Sequence, residues 1–403
     1  MRAFPYYTCG VPWDRLSDEQ REIRDLVRTI ASERIAPRAA EIDESHAFPW
    51  DVVELFREND LFGLFFEERY GGLGTGTLLG LVAIEEVSKV CATSGLILAV
   101  QELGSLGLKL AGTEEQKDRF LPKLASGEQL CAYALTESGS GSDSAAMRTT
   151  ARRDGDEYLL NGSKRFITNA GVASVYTVFA KTDPEAGHAG ISAFLVEAET
   201  PGFEVARLEP KLGISGSTTG ELTFDDVRIP AANLLGVEGE GFKLAMRILD
   251  RSRPGVAAQA LGIAQGATDY ALEYAKTRET MGRPIAQHQL IQAKLADMET
   301  ECEAARGLLY RFGQMADDGV DGAELTKASA MAKLKCGDVA MAVSIEAVQI
   351  LGGYGYIKEY PVERFMRDAK ITQIYEGSQE IQRLVIAREM VKESRAFLLA
   401  AAG

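Results

Sequence analysis

Apolar positions change their spacing twice along the chain. Ile23, Leu26, Val27 and Ile30 fall at the i, i+3, i+4, i+7 spacing of one buried helix face, and Ser17 with Gln20 makes a capping box ahead of them. Pro37 is expected to end this pattern, because proline breaks a helix interior. Further helices are expected through Val52, Val53 and Phe56, over Leu78 to Val87, and over Leu96 to Leu110. The last of these is nearly all apolar and must be buried on most sides. Thr113 and Gln116 form a second capping box for a helix reaching about Leu124.

From about Cys131 to Gly236 the signals become strands and turns. β-prone runs lie at Glu157 to Leu160, Arg165 to Thr168, Val175 to Ala180, Ile191 to Glu197 and Glu221 to Ile229, and Asp154-Gly155 and Asn161-Gly162 read as hairpin turns. After Gly239-Glu240-Gly241 helical spacing returns over Phe242 to Lys276, Ala286 to Ala316, Ala323 to Ile350 and Ser378 to Leu399. The expected fold is α+β and multidomain: an N-terminal helical domain over residues 1–130, a middle β-barrel or sandwich over 131–240, and a C-terminal four-helix bundle over 241–403. Strands alternating with helices would have implied a doubly wound sheet, so this order argues against a Rossmann domain.

At 403 residues the chain has room for two or three such units. Its formal net charge of −15 repels phosphate backbones and anionic lipid, which sets nucleic acid and membrane surfaces aside as partners while leaving room for a local cationic site that binds an anionic cofactor. The longest apolar stretches, near Leu96 to Val100 and Val175 to Ala180, fall far short of a membrane span. Met1 to Gly10 shows no secretory or transit pattern, so a cytoplasmic location is expected. Cys9, Cys91, Cys131, Cys302 and Cys336 are scattered and expected to be reduced and buried; His46, His188 and His288 are equally dispersed, so no metal site is expected.

Four segments combine glycine, hydroxyl and polar residues beyond what a bare fold needs. Tyr133 to Asp143 carries a Gly/Ser loop whose backbone could approach an anionic or carbonyl-bearing ligand, or simply connect two elements. Lys164 to Gly171 should place Phe166 and Thr168 on one strand face, able to flank a flat ring or to serve as ordinary core and strand residues. Gln349 to Tyr356 is a glycine-rich break that also reads as a helix C-cap. In Ile374-Tyr375-Glu376-Gly377-Ser378, apolar neighbours would desolvate Glu376 and raise its pKa towards that of a useful base, whereas a solvated loop would leave it ordinary. Ser378 is the expected N-cap of the helix that follows.

Together these segments resemble, in order and spacing, the acyl-CoA dehydrogenase family. The likeness runs from about residue 15 to the C-terminus and rests on Tyr133-Ala-Leu-Thr-Glu with Gly141-Ser-Asp143, Ile167-Thr168-Asn169, Arg278-Glu-Thr-Met-Gly-Arg283 with His288-Gln289, Gln349 to Gly353, Arg367-Asp-Ala-Lys370 and Ile374-Tyr-Glu-Gly377. The resemblance implies a helical domain, a β domain and a four-helix bundle enclosing FAD. It places the flavin ring at Tyr133, Leu135, Thr136, Ser142, Phe166, Ile167 and Thr168, and the pyrophosphate and adenosine half at Arg278, Thr280, His288, Gln289, Gln349, Gly352 and Gly353, some from a neighbouring subunit. Ser378, Gln379 and Glu380 would complete the cofactor site, while Ser142, Gly377 and the run from Asp250 to Arg253 would meet the acyl-CoA. Phe166 departs from the family, which often has Trp there, but keeps an aromatic wall.

The implied reaction is α,β-dehydrogenation of an acyl-CoA to a 2-enoyl-CoA, with Glu376 as α-proton base, FAD as hydride acceptor, and an electron-transferring flavoprotein taking the electrons from a homodimer or homotetramer. Some family members carry the base on the bundle helix, here near Leu249 to Pro254, where Asp250 is the sole carboxylate and reads as a helix-start charge. The rivals are a flavin-dependent monooxygenase or oxidase on the same fold, which Glu376 argues against, and a non-catalytic acyl-CoA-binding homologue. Gln101, Glu102 and Gly104 hint at a shortened or non-fatty acyl group.

Overall fold

The computed structural model describes residues 16–401, so the expectations for Met1 to Gly10 and for Cys9 lie outside the described residues. Helices fill the chain to Ala125: α1 (Asp18–Ile30), α2 (Ala39–Ser45), α3 (Trp50–Glu58), α4 (Gly76–Ser88), α5 (Ala92–Ala111) and α6 (Glu114–Ala125). Both capping boxes form as the sequence dictates, Ser17 with Gln20 and Thr113 with Gln116. Pro37, however, does not end the first helical run. The chain passes through a π turn at Ala31–Ile35 and a 3₁₀ turn at Ala36–Arg38 into α2, with Pro37 in that first 3₁₀ turn, where its missing N–H costs little.

The strands are β1 (Cys131–Ala134), β2 (Thr150–Asp154), β3 (Glu157–Thr168), β4 (Val175–Lys181), β5 (Ile191–Glu197), β6 (Phe203–Leu208), β7 (Thr219–Pro230) and β8 (Leu234–Leu235). They form one sheet in the order β6-β7-β3-β2-β4-β5-β8, with β1 parallel to β4. Its two halves fold towards each other, as the ring contacts of Tyr158 with Phe194 and of Tyr176 with Phe203 show, each at 4.9 Å. The outer face of β4 and β5, including Phe179 and Leu195, packs on Leu106, Phe120 and Ile248. Both faces of these strands are therefore covered, which is why they read as continuous apolar runs.

Asp154-Gly155 does make the β2–β3 hairpin, with Asp154 paired to Glu157. Asn161-Gly162 does not make a turn. It lies inside β3 at a register shift against β7, where Gly162 has φ +140° and a Cβ would sit 2.8 Å from Thr149 Cα. The two expected strands on either side of it are thus one bulged strand.

The C-terminal part holds α7 (Gly241–Thr277), a small hairpin of β9 (Glu279–Thr280) and β10 (Arg283–Pro284), α8 (Gln289–Asp317), α9 (Ala323–Leu351), α10 (Val362–Ala369) and α11 (Gln379–Ala401). The α4 and α5 helices pack on α7, and one hydrophobic core runs from the first helices through α7, α8 and α9. Close approach is enforced at Gly266, whose Cβ would stand 2.0 Å from the Lys89 carbonyl oxygen. Cys91, Cys131, Cys302 and Cys336 are free and buried. Among the described residues there is no metal-ligating cluster, and no helix is long and apolar enough to cross a membrane.

Candidate active site

Glu376 sits in the loop between a 3₁₀ turn at Lys370–Gln373 and α11. Its backbone is left-handed at φ +52°, followed by Gly377 at φ +91°, a conformation that a non-glycine residue holds only when its surroundings over-determine it. Ser252, on α7, donates its hydroxyl to Glu376 Oε2 at 2.6 Å. Desolvation pushes the Glu376 carboxyl above its ordinary range, opposed by the Ser252 hydrogen bond and by the cations Arg253 and Lys333. Ile374 does not supply that desolvation, since it is 54% exposed. The loop instead packs against Ser252 on α7 and Lys333 on α9, which leaves Glu376 half-buried, unlike a solvated-loop carboxylate.

Tyr133, at the end of β1, faces the same group: the charges of Glu376 and Arg253 both act on its hydroxyl. Asp250 lies ten residues inside α7 and is not a helix-start charge. It accepts from Arg253 at 2.7 Å and from Thr326 at 2.7 Å, so its oxygens are engaged. Asp250 and Arg253 thereby form an ion pair beside Glu376, while their neighbours Arg251 and Ser252 line a cavity of about 250 Å³ with Phe65, Phe66, Leu81, Ile84, Ala99, Glu102 and Gly255. Of the three α5 positions that hint at a short acyl group, Glu102 lines this cavity and pairs with Lys109. Gln101 points inward, donating to the carbonyls of Leu124 and Gln129. Gly104 is a packing position, its Cβ direction blocked by Cys131 Sγ at 2.6 Å.

The Gly/Ser loop is shaped by Glu137, whose role the sequence did not disclose. Its carboxylate accepts from Arg148 N–H at 2.6 Å, from Thr149 N–H at 3.0 Å, from the Thr149 hydroxyl at 2.6 Å and from the fully buried Lys164 ammonium at 2.8 Å. Lys164 also donates to the Leu135 carbonyl at 3.1 Å. Burial outweighs the carboxylate's pull and lowers the Lys164 pKa to about 8. Arg165 N–H donates to the Thr136 carbonyl, which lays the loop alongside β3. A second register shift in β3, between Lys164 and Ile167, comes with φ +60° at Phe166. Uninterrupted alternation would have put Phe166 and Thr168 on the buried face of Lys164. The bulge turns them outward instead, and Phe166 is 59% exposed. Leu135 and Ile167 have buried side chains, and the Leu135 carbonyl is held by Lys164, so at most the remaining backbone groups there could meet a ligand.

These surroundings fit a polar, flat cofactor. Tyr133 Oη, Arg165 Nε, Thr218 Oγ1 and Arg253 Nε are buried without a partner in or beside the site. Around Gly139 and Gly141 nothing lies within 4 Å of a hypothetical Cβ, which leaves the loop open to close approach, with Ser142 exposed next to it.

A second cluster forms around the β9–β10 hairpin. Arg278, Thr280, Gly352, Gly353 and Tyr354 line a cleft of about 450 Å³, with the Arg278 guanidinium 5.5 Å from the Tyr354 ring centre. His288 stands 3.3 Å from the Thr280 hydroxyl and 3.2 Å from the Arg283 guanidinium. Gln289 begins α8, and Gln349 is exposed on the last turn of α9, which Gly352 caps at φ +62°. Along α9, Gln349 lies about 24 Å from Lys333, which contacts the loop of Glu376. The two clusters are therefore separate regions of one chain. At the start of α11, Ser378 hydrogen-bonds the exposed Glu380 carboxylate. Gln379 is turned inward: it donates to the Leu334 carbonyl and to Asp338 and accepts from Lys333, so it is not available to a cofactor.

Family models for acyl-CoA dehydrogenase match this chain in three successive pieces, the N-terminal domain at residues 17–128, the middle domain at 132–227 and the C-terminal domain at 239–391. The chain is 48% identical over 377 residues to an acyl-CoA dehydrogenase of Bacillus subtilis, covering 93% of this chain and 99% of that one. It is 47% identical over 380 residues to a cyclohexane-1-carbonyl-CoA dehydrogenase of Geobacter metallireducens, covering 94% and 99%. Its fold is similar to the solved structure of butyryl-CoA dehydrogenase from Megasphaera elsdenii, with a TM-score of 0.91 and 44% identity across 93% of this chain and 99% of that one.

Proposed function

The chain belongs to the acyl-CoA dehydrogenase family of flavin-dependent oxidoreductases acting on CH–CH groups, and from that premise we propose that Glu376 is the base of its acyl-CoA dehydrogenation and FAD its cofactor. The observation that carries the proposal is the placement of Glu376: a desolvated carboxylate in a strained loop, oriented by Ser252, which itself lines the cavity of about 250 Å³. Desolvation raises its proton affinity while Arg253 and Lys333 keep it ionisable, the compromise a general base needs near neutral pH. Ser252 fixes one carboxylate oxygen, leaving the other free to meet the α-hydrogen of a thioester.

An α-hydrogen beside a thioester is too weakly acidic for a carboxylate in water, so donors must meet the thioester oxygen as negative charge develops on it. The Glu376 backbone N–H makes no hydrogen bond among the described residues and would serve as one donor. As Glu376 takes the α-proton, the α,β double bond forms and the β-hydrogen leaves with its electron pair. Bound flavin supplies the two-electron acceptor for that hydrogen.

Tyr133, Thr136, Ser142, Phe166 and Thr168 would hold the flavin ring, with Leu135 and Ile167 contributing backbone only. Arg278, Thr280, His288, Gln289, Gln349, Gly352 and Gly353 would engage the anionic and adenosine portion, and Ser378 with Glu380 would border the site. Ser142, Gly377 and the Asp250–Arg253 pair would line the path of the thioester. The exposure of the second cluster supports a homodimer or homotetramer in which a neighbour completes the site. We place the enzyme in the cytoplasm, passing electrons to an electron-transferring flavoprotein.

The test is anaerobic titration of purified protein with acyl-CoA thioesters. Yellow protein carrying about one FAD per chain, bleached by at least one thioester with formation of the 2-enoyl product, is expected. Protein that cannot be loaded with FAD would overturn the cofactor assignment, and loaded protein that no thioester bleaches would favour a non-catalytic acyl-CoA-binding role.

A further inference from the structure

Lys333 has a completely buried side chain on α9, opposite the loop that carries Glu376. Its ammonium donates to the Gly377 carbonyl at 2.8 Å and to Gln379 Oε1 at 3.2 Å. Gln382, also buried, donates its amide to the same Gly377 carbonyl at 2.9 Å and to the Glu376 carbonyl at 3.3 Å. Both peptide carbonyls that bracket the left-handed turn are therefore grasped from inside the bundle. A left-handed conformation at a glutamate is costly and needs such external determination. A lysine taken fully out of water is costly as well, and a neutral donor would suffice to satisfy one carbonyl.

We propose that Lys333 is a positioning residue for the reaction: its charged hydrogen bond to the Gly377 carbonyl holds the turn that aims the Glu376 carboxylate. The inference rests on Glu376 being the base. Lys333 acts through the loop and touches no reacting atom. Four charges act on it: Glu376 and Glu380 from the loop and the start of α11, Arg253 from α7, and Asp338 from its own helix. Arg253 is the one cation of the four and opposes the acids, so the field at Lys333 is set jointly by three elements. Burial and Arg253 outweigh the carboxylates and leave its pKa lowered to about 8.

The experiment uses the FAD-loaded enzyme and follows the reductive half-reaction by stopped flow with its best acyl-CoA across pH. Lys333→Gln keeps a neutral donor but removes the charge. The limiting rate at neutral pH is expected to fall by at least about tenfold, within the range by which displaced reacting groups slow enzymes, while the thioester dissociation constant changes less than about threefold. The acid limb of the rate, which reports Glu376, should move to higher pH, since a cation that lowers the Glu376 pKa is gone. A merely structural lysine would not move that limb. A variant with the wild-type limiting rate and an unmoved acid limb would overturn the proposal. If Lys333→Gln does not retain FAD, the wild type decides: its rate should decline on the alkaline side with an apparent pKa near the value of about 8 for Lys333, and a rate that stays level through that range would overturn the proposal. A wild-type enzyme that no thioester reduces would defeat the underlying reading of Glu376 instead, a result distinct from either of these.

Discussion

A single carboxylate illustrates how residue-level chemistry depends on distant partners. Glu376 is raised by desolvation, so its proton affinity is higher in the folded protein than in the unfolded chain. Base catalysis needs the ionised form, and the limiting rate of flavin reduction is therefore expected to climb with pH through a value above the ordinary glutamate range. The same shift works against stability, because ionising this group costs the folded state more than the unfolded one. Glu137 shows the opposite balance. Its pKa is lowered, burial being outweighed by Lys164 and by the Thr149 and Arg148 hydrogen bonds. Replacing it by Gln strands the buried Lys164 charge, and urea unfolding at neutral pH should show a loss on the order of 3 kcal/mol. The loss should shrink as pH rises towards about 8, because without the Glu137 carboxylate, which raises the Lys164 pKa, the stranded lysine sheds its proton below the wild-type value. A loss independent of pH would mean that Lys164 is not charged in the fold.

Elements were legible in the sequence wherever their causes are local. The capping boxes at Ser17 and Thr113 satisfy N–H groups three residues away, and both helices start where those residues say. Asn161-Gly162 misled because Gly162 is required by Thr149 on the neighbouring β2 side, not by a turn. Asp250 reads in the sequence as a helix-start charge, whereas it lies inside α7, which runs 37 residues from Gly241 to Thr277. The motif Ile374 to Gly377 disclosed a candidate base, but neither Lys333 nor Gln382 could be connected to it without the packing of α9 and α11. Arg367-Asp368 matched a family pattern whose physical meaning appears only in three dimensions. Asp368, on α10, is buried and accepts from the Ile214 N–H across an element boundary, and burial raises its pKa to about 7. Its folded-state pKa exceeds its unfolded value, so the stability it contributes is full at low pH and lost as pH rises through about 7. Asp368→Asn should therefore gain stability relative to wild type on going from pH 5 to pH 8. An unchanged difference between the two pH values would show that Asp368 is already ionised throughout.

At the scale of the whole molecule, Arg367 ties three regions together. It donates to Asp43 on α2 at 2.6 Å, to the Leu212 carbonyl in the β region at 3.3 Å, and to Glu363 one turn earlier on α10 at 2.6 Å. Arg367→Met leaves two partly buried carboxylates uncompensated and should cost roughly 3 kcal/mol in urea unfolding, with the active-site loops otherwise intact. The cluster around the β9–β10 hairpin lies beside exposed apolar side chains, Met281 at 93% and Tyr356 at 82% exposure, a surface better suited to a second copy of the chain than to water. An FAD-loaded monomer stable at micromolar concentration would contradict the proposal that a neighbouring subunit completes the cofactor site. The most direct test of the base compares wild type with Glu376→Gln, both loaded with FAD, in anaerobic stopped flow with the best acyl-CoA. The Gln side chain keeps the shape but cannot accept the proton, so thioester binding should persist while the rate of flavin bleaching falls by at least about 10²-fold. Bleaching at the wild-type rate in Glu376→Gln would contradict the assignment of the base.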